Sequence, residues 1–223
     1  MYDLVRGPLL WAAFIVFIGG LIFRAIQFFS ISRKKELASY SGPTKKGRLA
    51  GGFSPEEKKI HVLVSLKNSI IGTYPVFTLV TSVFHFLLFF VPLFVAAHAM
   101  LFYESWGILP WSLPEKAADA LTVFFLCLGG FFLIRRLADP KVRALTSASD
   151  YLVLFITVAP FVTGFIAFHQ WFDYNTVILL HMLTGELMLI AITFTKLGHM
   201  IFFFLARFLI AREYSLGRGS RTW

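Results

Sequence analysis

One cysteine, Cys127, is all the thiol that the 223 residues carry. Its solitude excludes an internal disulfide and a cysteine-ligated cluster within the chain. No C-x-x-C-H stretch occurs, so haem has no covalent attachment site. Charged residues are scarce, at 15%, and acids are scarcer than bases, 12 against 21. No soluble-type repeat or low-complexity tract stands out, and no stretch reads as a soluble domain. What abounds is apolar: 57% of residues are hydrophobic and 27 are Phe. A soluble domain of this length does not carry so much apolar surface.

Five apolar runs are long enough to cross a hydrocarbon core, which takes about 20 residues each. They cover about 9–29, 70–102, 117–134, 151–168 and 177–209, with a basic loop at 30–69. Unbroken apolar runs in lipid fit helices, because a helix satisfies its own backbone. The expectation is one all-α integral membrane domain over 1–223, with five transmembrane helices.

The charge of +9 invites a nucleic-acid reading, but its placement argues against one. Arg33, Lys34, Lys35, Lys45, Lys46, Arg48, Lys58, Lys59 and Lys67 lie in the first connection, and Arg135, Arg136, Lys141 and Arg143 in the third. Lys196, Arg207, Arg212, Arg218 and Arg221 lie toward the carboxyl end, and Arg24 near the inner end of the first run. Only Arg6 and Lys116 fall on the opposite side. Such asymmetry is the positive-inside pattern. It puts the amino terminus outside and the carboxyl terminus in the cytoplasm of a multi-pass membrane protein. The first run, with its positive flank behind it and no A-x-A site, reads as an uncleaved span. The basic loops suit anionic lipid or an acidic partner subunit.

Along the chain, Gly19-Gly20 and Gly129-Gly130 offer close helix contact. Arg24 can snorkel to the inner edge or meet an anion. Ser54, Pro55 and Glu57 read as a helix start, with a capping box, for a surface helix to about Lys67. His61 there reads as an ordinary surface histidine. The second run is too long for one straight crossing, and Pro75 and Pro92 are expected to kink it. Trp106 and Trp111 suit the outer interface. Ser149 or Asp150 is the expected cap of the fourth span.

Four histidines fall inside the runs: His85 and His98 in the second, His181 and His199 in the fifth. Eighteen residues separate the last two, five full turns, so an unbroken helix puts both on one stripe about 27 Å apart. His85 and His98 are thirteen apart, about 220° around an ideal helix, and Pro92 between them is expected to supply the missing rotation. His98 and His181 should both lie ~6–8 Å below the outer surface, and His85 and His199 ~25 and ~35 Å below it. Depth therefore pairs His98 with His181 and, more loosely, His85 with His199. Two imidazoles from each of two helices suit two bis-histidine haems inside a phenylalanine-rich bundle, with inner arginines on the propionates. Zinc wants a tighter cluster with carboxylate or thiol partners.

With these residues in view, the chain resembles the gamma subunit of respiratory nitrate reductase. It also resembles the cytochrome b subunits of transmembrane redox complexes of sulfate-reducing bacteria. The carriers are the five spans, the histidines on spans two and five, and the stretches His181-Met-Leu-Thr-Gly-Glu186 and Lys196-Leu-Gly-His199. The departure is in span two, where nitrate reductase members place their histidines closer together. The resemblance implies a dihaem b-type membrane anchor that exchanges electrons with menaquinone near the outer haem. A periplasmic multihaem cytochrome c is the other outer partner it implies. Inside, it implies a cytoplasmic iron–sulfur subunit of nitrate reductase or heterodisulfide reductase type. It also gives Lys116, at the outer start of span three, a place in quinol binding. His169 and Glu104, on the same side, are candidates for quinol protons. Glu186 is an acid within span five, a functional candidate by position.

Two other classes stay open. A haem-free transporter would use Arg24, Glu186, Lys196 and the histidines as a polar pathway, though no inverted repeat or paired broken helices are visible. A structural anchor would use the histidines only for packing.

Overall fold

The computed structural model describes residues 2–38 and 73–199, with side chains for 2–30 and 73–199. Among them every regular element is helical, and five helices are long and apolar enough to cross a membrane. The chain is a multi-pass, all-helical membrane protein by that measure. The expected surface helix at 54–67, and His61 with it, lie outside the described residues.

A turn at Tyr2–Leu4 and a π-turn at Val5–Leu9 lead into α1, Leu10–Ala38. Pro8 sits inside the π-turn, where its missing N–H removes one ladder bond. Then come α2 (Pro75–Phe94), α3 (Ala96–Trp106), α4 (Glu115–Ala138), the short α5 (Pro140–Leu145), α6 (Ala148–His169) and α7 (Tyr174–Phe194). A 3₁₀ turn, Lys196–Gly198, follows α7.

Two expectations are corrected here. The second run is not one kinked helix. It breaks at Val95, whose ψ of 135 is extended, so α2 and α3 are separate rods. Pro75 starts α2 at its first turn instead of kinking it, a position where its lost N–H costs nothing. The fifth run breaks as well: Thr195 is extended, at φ −114 and ψ −175. His181 and His199 therefore do not share one continuous helix, and the five-turn register between them does not hold.

Chain contacts divide the protein into two compact units, 1–31 with 119–223, and 32–118. In the first, α6 and α7 form the main packed pair. Phe125 of α4 is fully buried and stacks on Phe161 of α6, with ring centroids 3.9 Å apart. A Cβ on Gly20 of α1 would overlap the Thr193 methyl of α7, so this glycine is what lets the two backbones meet. Thr193, itself buried, donates back to the Phe17 carbonyl at 3.4 Å. In the second unit the connection after α3 folds back: the Leu113 N–H donates to the Phe94 carbonyl at 2.7 Å, and Trp111 packs edge-on to Phe94.

The fourth span begins one turn earlier than expected. Ser147 is the N-cap, and Asp150 stands three residues in. The Asp150 carboxylate accepts from the Ser147 N–H (2.8 Å) and hydroxyl (2.6 Å). It also takes an ion pair from Lys196 at 2.8 Å, while its own carbonyl accepts from Arg136. That single aspartate ties the start of α6 to the end of α4 and the turn after α7.

Candidate functional site

The best-built candidate position is His181, seven residues into α7. Gly164 of α6 faces it. A Cβ there would come within 2.9 Å of the ring Cε1 and 3.2 Å of Nδ1. Only a glycine lets the imidazole lie flat against the neighbouring backbone. One turn earlier on α6, the Pro160 carbonyl lies 2.9 Å from Nδ1, and the Thr163 hydroxyl 3.3 Å. Thr163 also reaches Thr184 of α7 at 3.2 Å, a polar clasp across the helix pair. A carbonyl can only accept, so Nδ1 is the donor in this bond.

The other three candidate histidines show the same Nδ1 contact, although His98 and His199 lie outside the five helices long and apolar enough to cross a membrane. Nδ1 of His85 is 2.7 Å from the Thr81 carbonyl, and Nδ1 of His98 is 2.7 Å from that of Pro92. Nδ1 of His199 is 2.6 Å from the Lys196 carbonyl. The helix breaks explain two of these. The last carbonyls of a helix lack an intrahelical donor. Pro92 sits in the final turn of α2, and Lys196 in the short turn after Thr195. The His85 bond, to the residue four back, is one that any helical histidine can make. The His181 bond crosses between two helices and is therefore the more specific. In all four, Nδ1 donates to a backbone carbonyl, the kind of bond at one ring nitrogen that orients an imidazole whose other nitrogen ligates a metal.

His169 differs. Its Nε2 is 3.0 Å from the Asp119 carboxylate, and its ring stacks with Trp171 and packs on Phe165. It pairs with an acid at a helix end and does not present Nε2. Lys116, in the first turn of α4, and Glu104, in α3, are both exposed and both in the second unit. His85 and His98 also belong to that unit, and His169, His181 and His199 to the first. Glu186 is 4% exposed, with neither carboxyl oxygen hydrogen-bonded. Among the described residues, no three His, Cys, Asp or Glu side chains gather around one metal position.

Sequence reasoning singled out the four histidines but not their supports. Pro160, Thr163 and Gly164 lie on one face of α6. Their signal was a Pro and a Gly four residues apart in an otherwise apolar run, a gap that admits a ring from a neighbour. Asp119, the partner of His169, carried no signal of its own: it lies 50 residues away in the chain.

No family model matches the chain, and no solved structure matches it. It is 37% identical over 229 residues to a protein of Nitratidesulfovibrio vulgaris (strain Hildenborough) named only "Protein", covering 100% of this chain and 97% of the relative. At that identity, over the full length of both, the chain belongs to the same family as this Nitratidesulfovibrio vulgaris protein.

Proposed function

We propose that the protein is the membrane-anchor dihaem b-type cytochrome subunit of a respiratory redox complex in a bacterial inner membrane. His98 with His181 would hold the outer haem, and His85 with His199 the inner one, the pairing that depth in the sequence favours. The observation that carries the reading is the shared polarity of the four imidazoles. Each gives its Nδ1 proton to a backbone carbonyl at 2.6–2.9 Å. His169, the described histidine outside this set, uses Nε2 for a carboxylate. The four share the Nδ1–carbonyl bond that orients a ligating imidazole, and His169 does not.

Bound there, bis-imidazole haems would supply one-electron carriage between the two membrane faces, with no open iron position. The chain's own work is to hold and orient. The Pro160 carbonyl and the absent Cβ of Gly164 set the plane of the His181 ring. Phenylalanines supply the apolar packing, as Phe125 on Phe161 does in the described core. On the outer side the partner is menaquinol or menaquinone, with Lys116, His169 and Glu104 as candidates for that site, or a periplasmic multihaem cytochrome c. On the inner side it is an iron–sulfur subunit of nitrate reductase or heterodisulfide reductase type. The amino terminus lies outside and the carboxyl terminus in the cytoplasm.

An absorption spectrum of the purified protein, with a pyridine haemochrome count, tests this. Two b haems per chain are expected, and one in either His181→Ala or His199→Ala. A colourless preparation of intact protein, or an unchanged count in both variants, rejects the assignment. One observation favours a second reading: Glu186 is buried mid-span with both oxygens unpartnered. A haem-free transporter would place such a group on its pathway, and the same spectrum separates the two.

A further inference from the structure

We infer that the protein carries a headgroup site for an anionic phospholipid, between α1, the start of α6 and the end of α7. The site is a cavity of about 510 Å³ in the first unit, with Arg24, Lys196, Ser149 and Thr195 among its lining residues. Further along the same wall the lining turns apolar, with Leu152, Ile156 and Phe194. The polar part sits where polar chain begins. Ser149 is in the first turn of α6, and Lys196 lies just past the last residue of α7. The apolar part runs into the span from there.

Charge identifies the occupant. Lys196 is engaged by Asp150 at 2.8 Å. Arg24 has no ion-pair or hydrogen-bond partner among the described residues. It stands in α1 between side chains that face lipid: Phe23 is 66% exposed and Ile26 63%. An unpaired guanidinium at that depth is costly, and a phosphate oxygen relieves the cost through charge-assisted hydrogen bonds. A soluble anion would satisfy Arg24 but leave the apolar wall uncovered. Leu152 and Phe194 are 57% and 67% exposed. A phospholipid does both, with phosphate on Arg24 and acyl chain along Leu152, Ile156 and Phe194. The net charge of the Arg24–Lys196–Asp150 group is positive, which selects an anionic lipid over a zwitterionic one. None of this requires haem.

The test is native mass spectrometry of delipidated full-length protein titrated separately with phosphatidylglycerol, phosphatidylcholine and inorganic phosphate. One tightly retained phosphatidylglycerol is expected, preferred about fivefold over phosphatidylcholine, the increment one interfacial cation supplies. Arg24→Gln should abolish the preference and Arg24→Lys should keep it. Inorganic phosphate should neither bind nor compete. Equal retention of the two lipids, or an unchanged preference in Arg24→Gln, overturns the site. Competition by inorganic phosphate overturns the lipid and leaves a plain anion site. Should Arg24→Gln fail to assemble, the comparison of the two lipids on the unaltered protein decides.

Discussion

The four candidate imidazoles differ in how firmly they are set, and the difference has consequences residue by residue. His181 is held from outside its own helix, by the Pro160 carbonyl and the bare backbone of Gly164. Gly164→Ala adds one methyl where the ring already lies, and a packed interface has no slack to absorb it. On the proposed dihaem reading, the expected outcome is loss of one of two haems by pyridine haemochrome, with the protein still folded by circular dichroism. Retention of both would show that the ring does not need this glycine. His169→Ala should leave the haem count at two, because its Nε2 faces Asp119. The histidines themselves were legible from the sequence, since an imidazole inside an apolar run is conspicuous. The bonds at their Nδ1 were not. What that nitrogen meets depends on a carbonyl brought near by folding, 21 residues away in the case of His181.

At the scale of elements, five spans could be read because 20-residue apolar runs have few other uses. The breaks inside runs two and five could not. They fall at Val95 and Thr195, β-branched residues that differ little from others in helix propensity. Proline signals pointed elsewhere: Pro92 lies three residues before one break, and Pro160 sits inside an unbroken helix. The Thr195 break has a visible cause. Its side chain donates to the Ala191 carbonyl at 2.6 Å and accepts from the Leu197 N–H at 3.2 Å, turning the chain out of the helix. Thr195→Leu removes both bonds and favours helix continuation, which would rotate His199. That variant should lose the haem assigned to His199 and keep the one assigned to His181. If the break matters only for packing, both haems stay. The start of α7 is pH-sensitive in a definite direction. The Thr176 hydroxyl and N–H hold the Asp173 carboxyl below its ordinary value. A depressed carboxyl stabilises above its unfolded pKa, and that stabilisation fades as pH falls through the folded one. Asp173→Ala should therefore lower the melting temperature at pH 7, and the gap to the unaltered protein should close on acidification.

For the whole molecule the governing quantity is the distribution of charge. All but two of the 21 cations lie on one side of the five-span scheme. Lys and Arg near span ends resist translocation, and an odd number of spans leaves the two termini on opposite faces; the proposed topology takes the basic side as inward. The described residues agree on which elements share that end within the first unit. Arg136 donates to the Asp150 carbonyl, Lys196 pairs with the Asp150 carboxylate, and Arg24 lines a cavity with Lys196. The exceptions matter as much. Lys116 stands at the opposite end of α4 from Arg135 and Arg136, the end that the proposed topology gives to the outer surface and a quinol headgroup. Reporter fusions give the check. Green fluorescent protein joined after Trp223 should fluoresce, since it folds in the cytoplasm. Alkaline phosphatase joined after Gly107, in the connection between α3 and α4, should be active, since it needs the oxidising side. On the quinone reading proposed above, Lys116→Gln should slow electron exchange with menaquinol or menaquinone several-fold in the assembled complex without changing the haem count, because an interfacial ammonium contributes on the order of 1 kcal/mol to holding a polar headgroup. The reverse fusion pattern would put the basic loops outside and move the quinone face to the other end of the bundle. An unchanged rate in Lys116→Gln, with the topology as drawn, would leave quinol exchange to His169 and Glu104 or to a periplasmic cytochrome donor.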